Sequence, residues 1–256
     1  MKKEMILGAQ LYTVRMLCQT EPELADTLSK IAATGYQSVQ VSGIGPIAPA
    51  RVKAICDDLG LVIPVTHTPP DKIMNQTEQV IEDHQVMGAK HVGIGSMPKN
   101  YEWNPEGVSR FLDDFLPAAE KLKKAGMMLH YHNHHFEMAR FEGKTLLTYM
   151  AEQAPSDLLG FILDTYWLQA GGEDPAAVIR RFKGRVPVIH LKDMAMRGRD
   201  QLMTPVLSGN MNFDTILEAC EMAGCEWLMI EQDTCEGSPI DCLAESYRNL
   251  SRLGYR

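Results

Sequence analysis

Histidines and carboxylates gather where apolar segments of the sequence end. The segment Met127–Glu137 starts with apolar residues, finishes with imidazoles, an amide and a carboxylate, and holds four of the eight histidines. Three later apolar runs end in the same way, at Asp164, His190 and Glu231. This pattern is typical of parallel strands whose carboxyl ends open into an active site. Imidazole and oxygen ligands without a cysteine suit Mn²⁺, Mg²⁺, Co²⁺ or Zn²⁺ and argue against a structural zinc.

The sequence leaves the fourth ligand open. An extended segment 128–134 would place His130, His132 and His134 on one face of a strand. His132 then stands where the other strands carry their ligand residues, whereas Glu137 follows in a loop and could fold back as a ligand or base. The candidate metal ligands are therefore His132, Glu137, Asp164, His190 and Glu231.

Four further side chains are candidates for the mouth of this site. His67, at the end of the third apolar run, is expected to contact substrate or to be a loop histidine. His134 is a second candidate substrate contact, and Trp167 would stack on a sugar ring or belong to the core. Lys192 would direct a positive charge at an oxyanion or form a salt-bridged strand end with Asp193.

Strand-like and helix-like segments alternate regularly along the chain. The predicted strands centre on residues 6–12, 36–41, 61–66, 90–95, 128–134, 161–164, 186–193 and 227–233. The predicted helices include 49–59, 77–87, 108–124, 144–153, 213–222 and 240–253, and a polar loop is expected over 194–212. Eight such units in 256 residues favour a parallel (β/α)8 TIM barrel over a doubly wound open sheet. Because no linker-like stretch interrupts them, we expect one domain over residues 1–256.

The composition limits the class of protein. A hydrophobic fraction of 45% and a charged fraction of 23% are ordinary for a globular chain. A net charge of -8 without a basic stripe argues against nucleic acid and favours a small polar substrate. No apolar run reaches membrane-spanning length, and the start Met1–Gly8 lacks a signal peptide, so we expect a cytoplasmic protein. The six cysteines form no CxxC pair, which fits a reducing compartment. The sequence is compatible with a monomer or a homo-oligomer.

Four motifs at predicted strand ends occur together in this chain. They are GAQLYTVR (8–15), HNHHFE (132–137), VIHLKD (188–193) and IEQD (230–233). In combination they resemble the sugar phosphate isomerase/epimerase family of xylose isomerase-like barrels, near its inosose dehydratase branch. The resemblance implies a divalent metal at the carboxyl face of a (β/α)8 barrel that acts on ketoses, inososes or 3-keto sugars. Asp164, His190 and Glu231 match the family's metal ligands.

The chain departs from the family pattern at two positions. His132 stands where the first ligand is usually a glutamate, and Gln40 stands where many relatives carry a glutamate. Family epimerases use two metal-bound carboxylates on opposite faces of the substrate. Losing one of the pair favours a reaction with one base and a separate acid.

The resemblance and this departure predict proton abstraction next to a metal-polarised ketone. Glu231 or Glu137 is the expected base. His132 or His134 would then protonate a leaving oxygen in a dehydratase or lyase, whereas return of the proton would give isomerisation or epimerisation. A second class stays open, in which the chain is a catalytically reduced sugar-binding subunit of a larger carbohydrate-processing complex.

A phosphate group on the substrate is not expected. It would need a glycine nest at a helix start or a cluster of Arg and Lys. The weak candidate is Ser208-Gly209-Asn210 with Arg197 and Arg199. We therefore expect an unphosphorylated sugar.

Overall fold

A closed barrel of eight parallel strands forms the centre of the molecule in the computed structural model, which describes residues 5–256. The strands are β1 (Ile6–Gln10), β2 (Ser38–Val41), β3 (Val62–His67), β4 (His91–Ile94), β5 (Met128–His132), β6 (Leu159–Asp164), β7 (Val188–Leu191) and β8 (Trp227–Ile230). Successive strands pair in parallel, and β1 closes the barrel against β8 with Ile6 opposite Trp227. The predicted (β/α)8 TIM barrel is confirmed, and the open doubly wound sheet is excluded.

Helices pack around the outside of this barrel. The main ones are α1 (Glu21–Thr34), α2 (Pro49–Asp58), α3 (Thr77–Met87), α4 (Pro105–Lys124), α5 (Leu146–Gln153), α6 (Pro175–Arg181), α7 (Phe213–Ala223) and α8 (Pro239–Ser251). Shorter helical segments cover Leu11–Leu17, Pro70–Asn75, Phe136–Met138 and Thr165–Ala170. Helix α4 shows the common pattern, since Phe111, Phe115 and Leu122 recur at helical spacing and are buried towards the sheet. The side chain of Asp174 caps α6 by accepting the backbone N–H groups of Ala176 and Ala177.

The inward-facing side chains of the barrel change from apolar to polar towards its carboxyl end. Four inward-facing side chains form a small buried apolar cluster, made of Val65, Ile162, Val188 and Met229. Side chains two residues apart on a strand point to the same face. Two residues beyond this apolar layer, the inward positions are His67, Asp164, His190 and Glu231. The apolar layer thus separates the chemical groups from the opposite end of the barrel.

Two predicted element boundaries are wrong near the site. Strand β5 ends at His132 instead of residue 134, because the next residue, Asn133, uses its side-chain oxygen to accept the backbone N–H of Asp164 at 3.0 Å. Helix α5 begins at Leu146 instead of residue 144, because Lys144–Thr145 pairs with Arg140–Phe141 in a short hairpin.

The segment expected to be a polar loop over 194–212 contains a second hairpin. Asp193–Arg197 pairs antiparallel with Asp200–Thr204. The buried carboxylate of Asp193 accepts backbone N–H groups from Met194 at 2.7 Å and Gly209 at 3.0 Å, and so ties the hairpin to the segment that follows it. Asp193 is therefore a structural carboxylate.

Two features bear on the expectations about location. Of the helices within residues 5–256, none combines the length and the apolar character that crossing a membrane requires. The predicted lack of a signal peptide concerns a stretch that begins at Met1, and residues 1–4 lie outside the described residues.

Candidate active site

Four buried side chains converge at the carboxyl end of the barrel. His132, Asp164, His190 and Glu231 each offer one ligand atom, and these atoms lie within 4.8 Å of one another. None of the four residues is more than 4% exposed. They end β5 and β6, lie within β7 and directly follow β8. The structure thus brings together the three strand-end ligands predicted from the sequence with His132 as the fourth.

Each of the two histidines has one ring nitrogen held by a carbonyl group. The Nδ1 of His132 lies 3.0 Å from the backbone oxygen of Gly95, and the Nε2 of His190 lies 2.8 Å from Oε1 of Gln40. Because a carbonyl oxygen accepts but does not donate, the held nitrogens carry the hydrogen. The other nitrogen of each ring therefore presents a free lone pair to the group, as metal-binding imidazoles require.

The two carboxylates are arranged in the same way. Oδ1 of Asp164 accepts the backbone N–H of Trp167 at 3.0 Å, and Oε1 of Glu231 accepts the side-chain amide of Gln10 at 2.9 Å. This leaves Oδ2 of Asp164 and Oε2 of Glu231 for the centre of the group. Each of the four side chains is thus fixed by a hydrogen bond at one polar atom and directs its other polar atom to the centre of the group.

The inner atoms are spaced as ligands around a common point. Nδ1 of His190 lies 2.9 Å from Oε2 of Glu231 and 3.8 Å from Oδ2 of Asp164, while Nε2 of His132 lies 3.4 Å from the same Asp164 oxygen. Nδ1 of His190 and Oε2 of Glu231 are both buried, and they lie against the other inward-facing atoms of the group instead of solvent. Two imidazoles and two carboxylates at these separations fit a divalent ion bound at about 2.0–2.2 Å from each atom.

The roles of Gln10 and Gln40 are visible only in the structure. Gln10 and Gln40 are fully buried on β1 and β2, and each holds the outer atom of a ligand from a different part of the chain. Gln40, the position at which the chain departs from the family's glutamate, thus acts here by fixing a histidine. The available signal was a glutamine within an otherwise apolar strand, which burial makes costly unless it is hydrogen-bonded.

A lysine ammonium adjoins the two inner oxygens. Nζ of Lys192 lies 2.9 Å from Oδ2 of Asp164, 2.9 Å from Oε2 of Glu231 and 3.1 Å from Oδ1 of Asp233. The residue is 1% exposed. The expected salt bridge at the strand end exists, but its partners are these carboxylates, whereas the neighbouring Asp193 accepts backbone N–H groups.

This charge arrangement controls the protonation of the group. Burial alone would raise the pKa of Glu231, but the ammonium of Lys192 beside its Oε2 outweighs burial and holds this pKa well below its ordinary value. Burial would likewise lower the pKa of Lys192, and the nearby carboxylates raise it instead. Both carboxylates and the lysine are therefore ionised at neutral pH.

Glu137, the other candidate for the fourth ligand, is not part of the group. Its Oε1 accepts the hydroxyl of Tyr131 at 2.5 Å, and its Oε2 accepts the backbone N–H of His134 at 2.8 Å. The side chain is fully buried, and burial raises its pKa to about 7. Because both oxygens are engaged where the chain leaves β5, the structure gives Glu137 a local bonding role there instead of a place among the ligands.

A cavity of about 550 Å³ opens above the group. This volume lies within the range of about 300–1,000 Å³ that is common for small-molecule sites. The predicted residues His67, His134 and Lys192 line it, together with His132 and Glu231 from the ligand group. Its outer wall includes Tyr12, Arg15 and Asp233.

Two imidazoles face this cavity without belonging to the group. Nε2 of His67 and Nδ1 of His134 are buried and have no hydrogen-bond partner in the described part of the chain. Burial lowers the pKa of His67 well below its usual range and that of His134 to about 3. Both rings are therefore neutral near pH 7 and can exchange hydrogen bonds with substrate hydroxyl groups.

Trp167, which the sequence assigns either to sugar stacking or to the core, does not line the cavity. Its ring lies 5.4 Å from the ring of His134 and 5.1 Å from that of His135, and Nζ of Lys192 lies 5.5 Å from its centre. The indole therefore packs against His134 and Lys192, which do line the cavity.

The weak phosphate-binding candidate at 208–210 is used for other contacts. The amide of Gly209 donates to Asp193 and that of Asn210 donates to the backbone oxygen of Met194 at 2.7 Å. Arg197 pairs with Glu236 at the surface. These contacts engage the backbone N–H groups of residues 209 and 210 and the guanidinium of Arg197 within the protein.

Comparison with known proteins places this geometry in context. A family model described as the xylose isomerase-like TIM barrel matches residues 28–251. An inosose dehydratase from Lacticaseibacillus casei is 23% identical over 268 aligned residues, covering 90% of this chain and 89% of that protein. The rhizopine catabolism protein MocC of Rhizobium meliloti is 24% identical, with 90% of this chain and 81% of that protein covered.

A solved structure resembles the whole barrel. The sugar phosphate isomerase/epimerase from Parabacteroides distasonis superimposes with a TM-score of 0.82. The alignment covers 98% of this chain and 94% of that chain at 23% identity. This likeness supports the fold.

We predict that Glu137→Gln gains stability relative to the wild type as the pH rises. Burial raises the pKa of Glu137 from 4.5 to about 7 in the folded chain. A raised folded-state pKa contributes stability that is fully present below the unfolded pKa and is lost as the pH rises through the folded pKa. The difference in free energy of unfolding between variant and wild type should therefore shift by roughly 3 kcal/mol across this interval.

Urea unfolding at a series of pH values measures this shift. Glu82→Gln, on the exposed surface of α3, controls for removing a negative charge. A stability difference for Glu137→Gln that does not change with pH would show that the carboxyl group is ionised throughout.

Proposed function

The chain belongs to the xylose isomerase-like TIM barrel family, and from this premise we propose a divalent-metal-dependent enzyme that removes a proton next to the carbonyl of a keto sugar or inosose. The observation that carries the proposal is the arrangement of His132, Asp164, His190 and Glu231, each held through one atom and directed inward through the other. The inosose dehydratase relative supports a sugar or inosose as substrate. The engagement of the Gly209 and Asn210 backbone N–H groups in contacts within the protein supports an unphosphorylated one.

These four residues would hold Mn²⁺, Co²⁺, Zn²⁺ or Mg²⁺, whose chemistry would be to polarise the substrate carbonyl and so acidify the adjacent C–H bond. Of the group, His132 and Glu231 line the cavity. Their side chains therefore face a bound substrate, whereas Asp164 and His190 support the site from within the barrel.

Glu231 is the base in this proposal. It is the carboxylate of the group that lines the cavity, and Lys192 keeps it in the ionised form that accepts a proton. Glu137, the alternative base, does not line the cavity.

The fate of the proton decides the reaction type. In an elimination, the proton taken by Glu231 leaves with a substrate hydroxyl group as water, and in an isomerisation or epimerisation it returns to carbon. His134 was expected to supply the proton as an acid, but its low pKa leaves it neutral. We therefore assign His134 and His67 to hydrogen bonds that orient substrate hydroxyl groups.

Elimination is the outcome that the site favours. An epimerase of this family needs a second carboxylate on the opposite face of the substrate, and the group presents the imidazole of His132 to the cavity instead. One carboxylate at the cavity, with the neutral imidazoles of His67 and His134 beside it, suits the removal of a proton and a hydroxyl group more than the transfer of a proton between two faces.

A second candidate function is a sugar-binding subunit without metal chemistry. The observation that favours it is the ammonium of Lys192, which already neutralises the two carboxylates that a metal would use. In that case Asp164→Ala and Glu231→Ala would leave sugar affinity almost unchanged, as measured by calorimetry.

We predict that protein purified without chelator carries a near-stoichiometric divalent metal that Asp164→Asn removes. Asparagine keeps the size of the side chain but removes the charge that an ion needs. His132→Gln should also lose metal, because it replaces a ligand nitrogen. Elemental analysis by inductively coupled plasma mass spectrometry measures the content of each variant.

Glu137→Gln is the matched control for this experiment. It alters a buried carboxylate outside the group and should retain the metal of the wild type. Loss of metal in Glu137→Gln with retention in His132→Gln would reverse the assignment of the fourth ligand. The absence of metal from the wild type, even after incubation with Mn²⁺, would favour the binding-subunit alternative.

We also predict that the reaction releases water. Proton NMR in D₂O of the products from a panel of inososes and keto sugars should show a dehydrated product, and Glu231→Gln should abolish its formation because the base is lost. Deuterium incorporation into a product that keeps all its hydroxyl groups would contradict elimination and identify an isomerase or epimerase.

A further inference from the structure

We propose that Lys192 is the built-in counter-cation of the metal site, which pairs with Asp164 and Glu231 in the metal-free protein and competes with the ion for the same two oxygens. The inference rests on the proposed metal site and concerns how that site is filled. It gives Lys192 a role in metal affinity and in the stability of the metal-free protein, beyond contact with a substrate oxyanion.

The position of the ammonium is the first observation. Nζ of Lys192 is 2.9 Å from Oδ2 of Asp164 and 2.9 Å from Oε2 of Glu231. These are the two carboxylate oxygens that Trp167 and Gln10 leave free for the centre of the group. An incoming ion would use the same oxygens and would meet a like charge beside them.

Burial makes a cation necessary at this place. Asp164 and Glu231 are 0% and 4% exposed, and the fully buried ring of His190 lies against both carboxylates. Removing the partner of buried charges leaves them uncompensated, which strongly destabilises a folded protein. The ammonium of Lys192 supplies the missing charge without an ion, so the metal-free barrel keeps its ligands in place.

A third carboxylate offers the lysine an alternative position. Nζ of Lys192 is also 3.1 Å and 3.2 Å from the two oxygens of Asp233, which lines the cavity. The four-carbon stem of lysine is flexible, and its ammonium has three donors that can change partners. When an ion takes the oxygens of Asp164 and Glu231, the ammonium can therefore move towards Asp233 and stay paired.

The test compares wild type, Lys192→Met and Arg15→Met in chelator and in saturating Mn²⁺. Methionine keeps the apolar stem and removes the charge. Arg15 is the matched control because it also lines the cavity with a positive charge, yet it donates to the backbone oxygens of Tyr12 and Asp233 instead of the ligands. Thermal unfolding reports stability, and electron paramagnetic resonance titration reports the Kd for Mn²⁺.

The expected result is a coupling between the lysine and the metal. Lys192→Met should unfold at a lower temperature than the wild type in chelator, and Mn²⁺ should remove most of this difference. Its Kd for Mn²⁺ should fall tenfold or more, whereas Arg15→Met should change the Kd less than threefold. Lys192→Arg, which keeps the charge and holds carboxylates through a rigid fork, should bind Mn²⁺ more weakly than the wild type.

Other outcomes overturn the inference in distinguishable ways. An equal loss of stability with and without Mn²⁺, with an unchanged Kd, would make Lys192 a plain structural ion pair and leave the metal site intact. If Lys192→Met does not fold under either condition, Mn²⁺ binding by Lys192→Arg as tight as the wild type would overturn it. No Mn²⁺ binding by wild type or any variant would remove both the inference and the proposed metal site.

Discussion

Two carboxylates buried at one end of the barrel impose the constraint on which the rest of the site depends. Asp164 and Glu231 come from strands β6 and β8 and direct an oxygen each into the same small space. Ionised groups can remain in such a place only when cations and hydrogen bonds compensate them. The ammonium of Lys192 supplies the cation for both carboxylates, and the two histidines of the group lie against the same oxygens.

The barrel meets the requirement by fixing each ligand from outside the group. Gln10 on β1 holds Glu231, and Gln40 on β2 holds His190. The backbone oxygen of Gly95 holds His132. An apolar layer beneath prevents the charged atoms from turning into the barrel. The site is therefore preorganised before an ion or a substrate arrives, which reduces the reorganisation that binding requires.

Sequence patterns predicted the strand ends well, because hydrophobic runs and the residues that terminate them depend on local chemistry. The alternation of elements was enough to identify the barrel and to place Asp164, His190 and Glu231 together. The choice between His132 and Glu137 depended on where β5 ends, and that in turn depends on a contact between Asn133 and Asp164 that joins distant segments. The partners of Lys192 and the roles of the glutamines are likewise long-range, so no local pattern could determine them.

Anomalous X-ray diffraction from crystals soaked in Mn²⁺ tests the central claim most directly. The account predicts an anomalous peak bounded by Nε2 of His132, Oδ2 of Asp164, Nδ1 of His190 and Oε2 of Glu231, with the ammonium of Lys192 displaced towards Asp233. Crystals without such a peak, in which Lys192 still bridges Asp164 and Glu231, would contradict the metal site. The arrangement would then be a lysine-neutralised binding pocket.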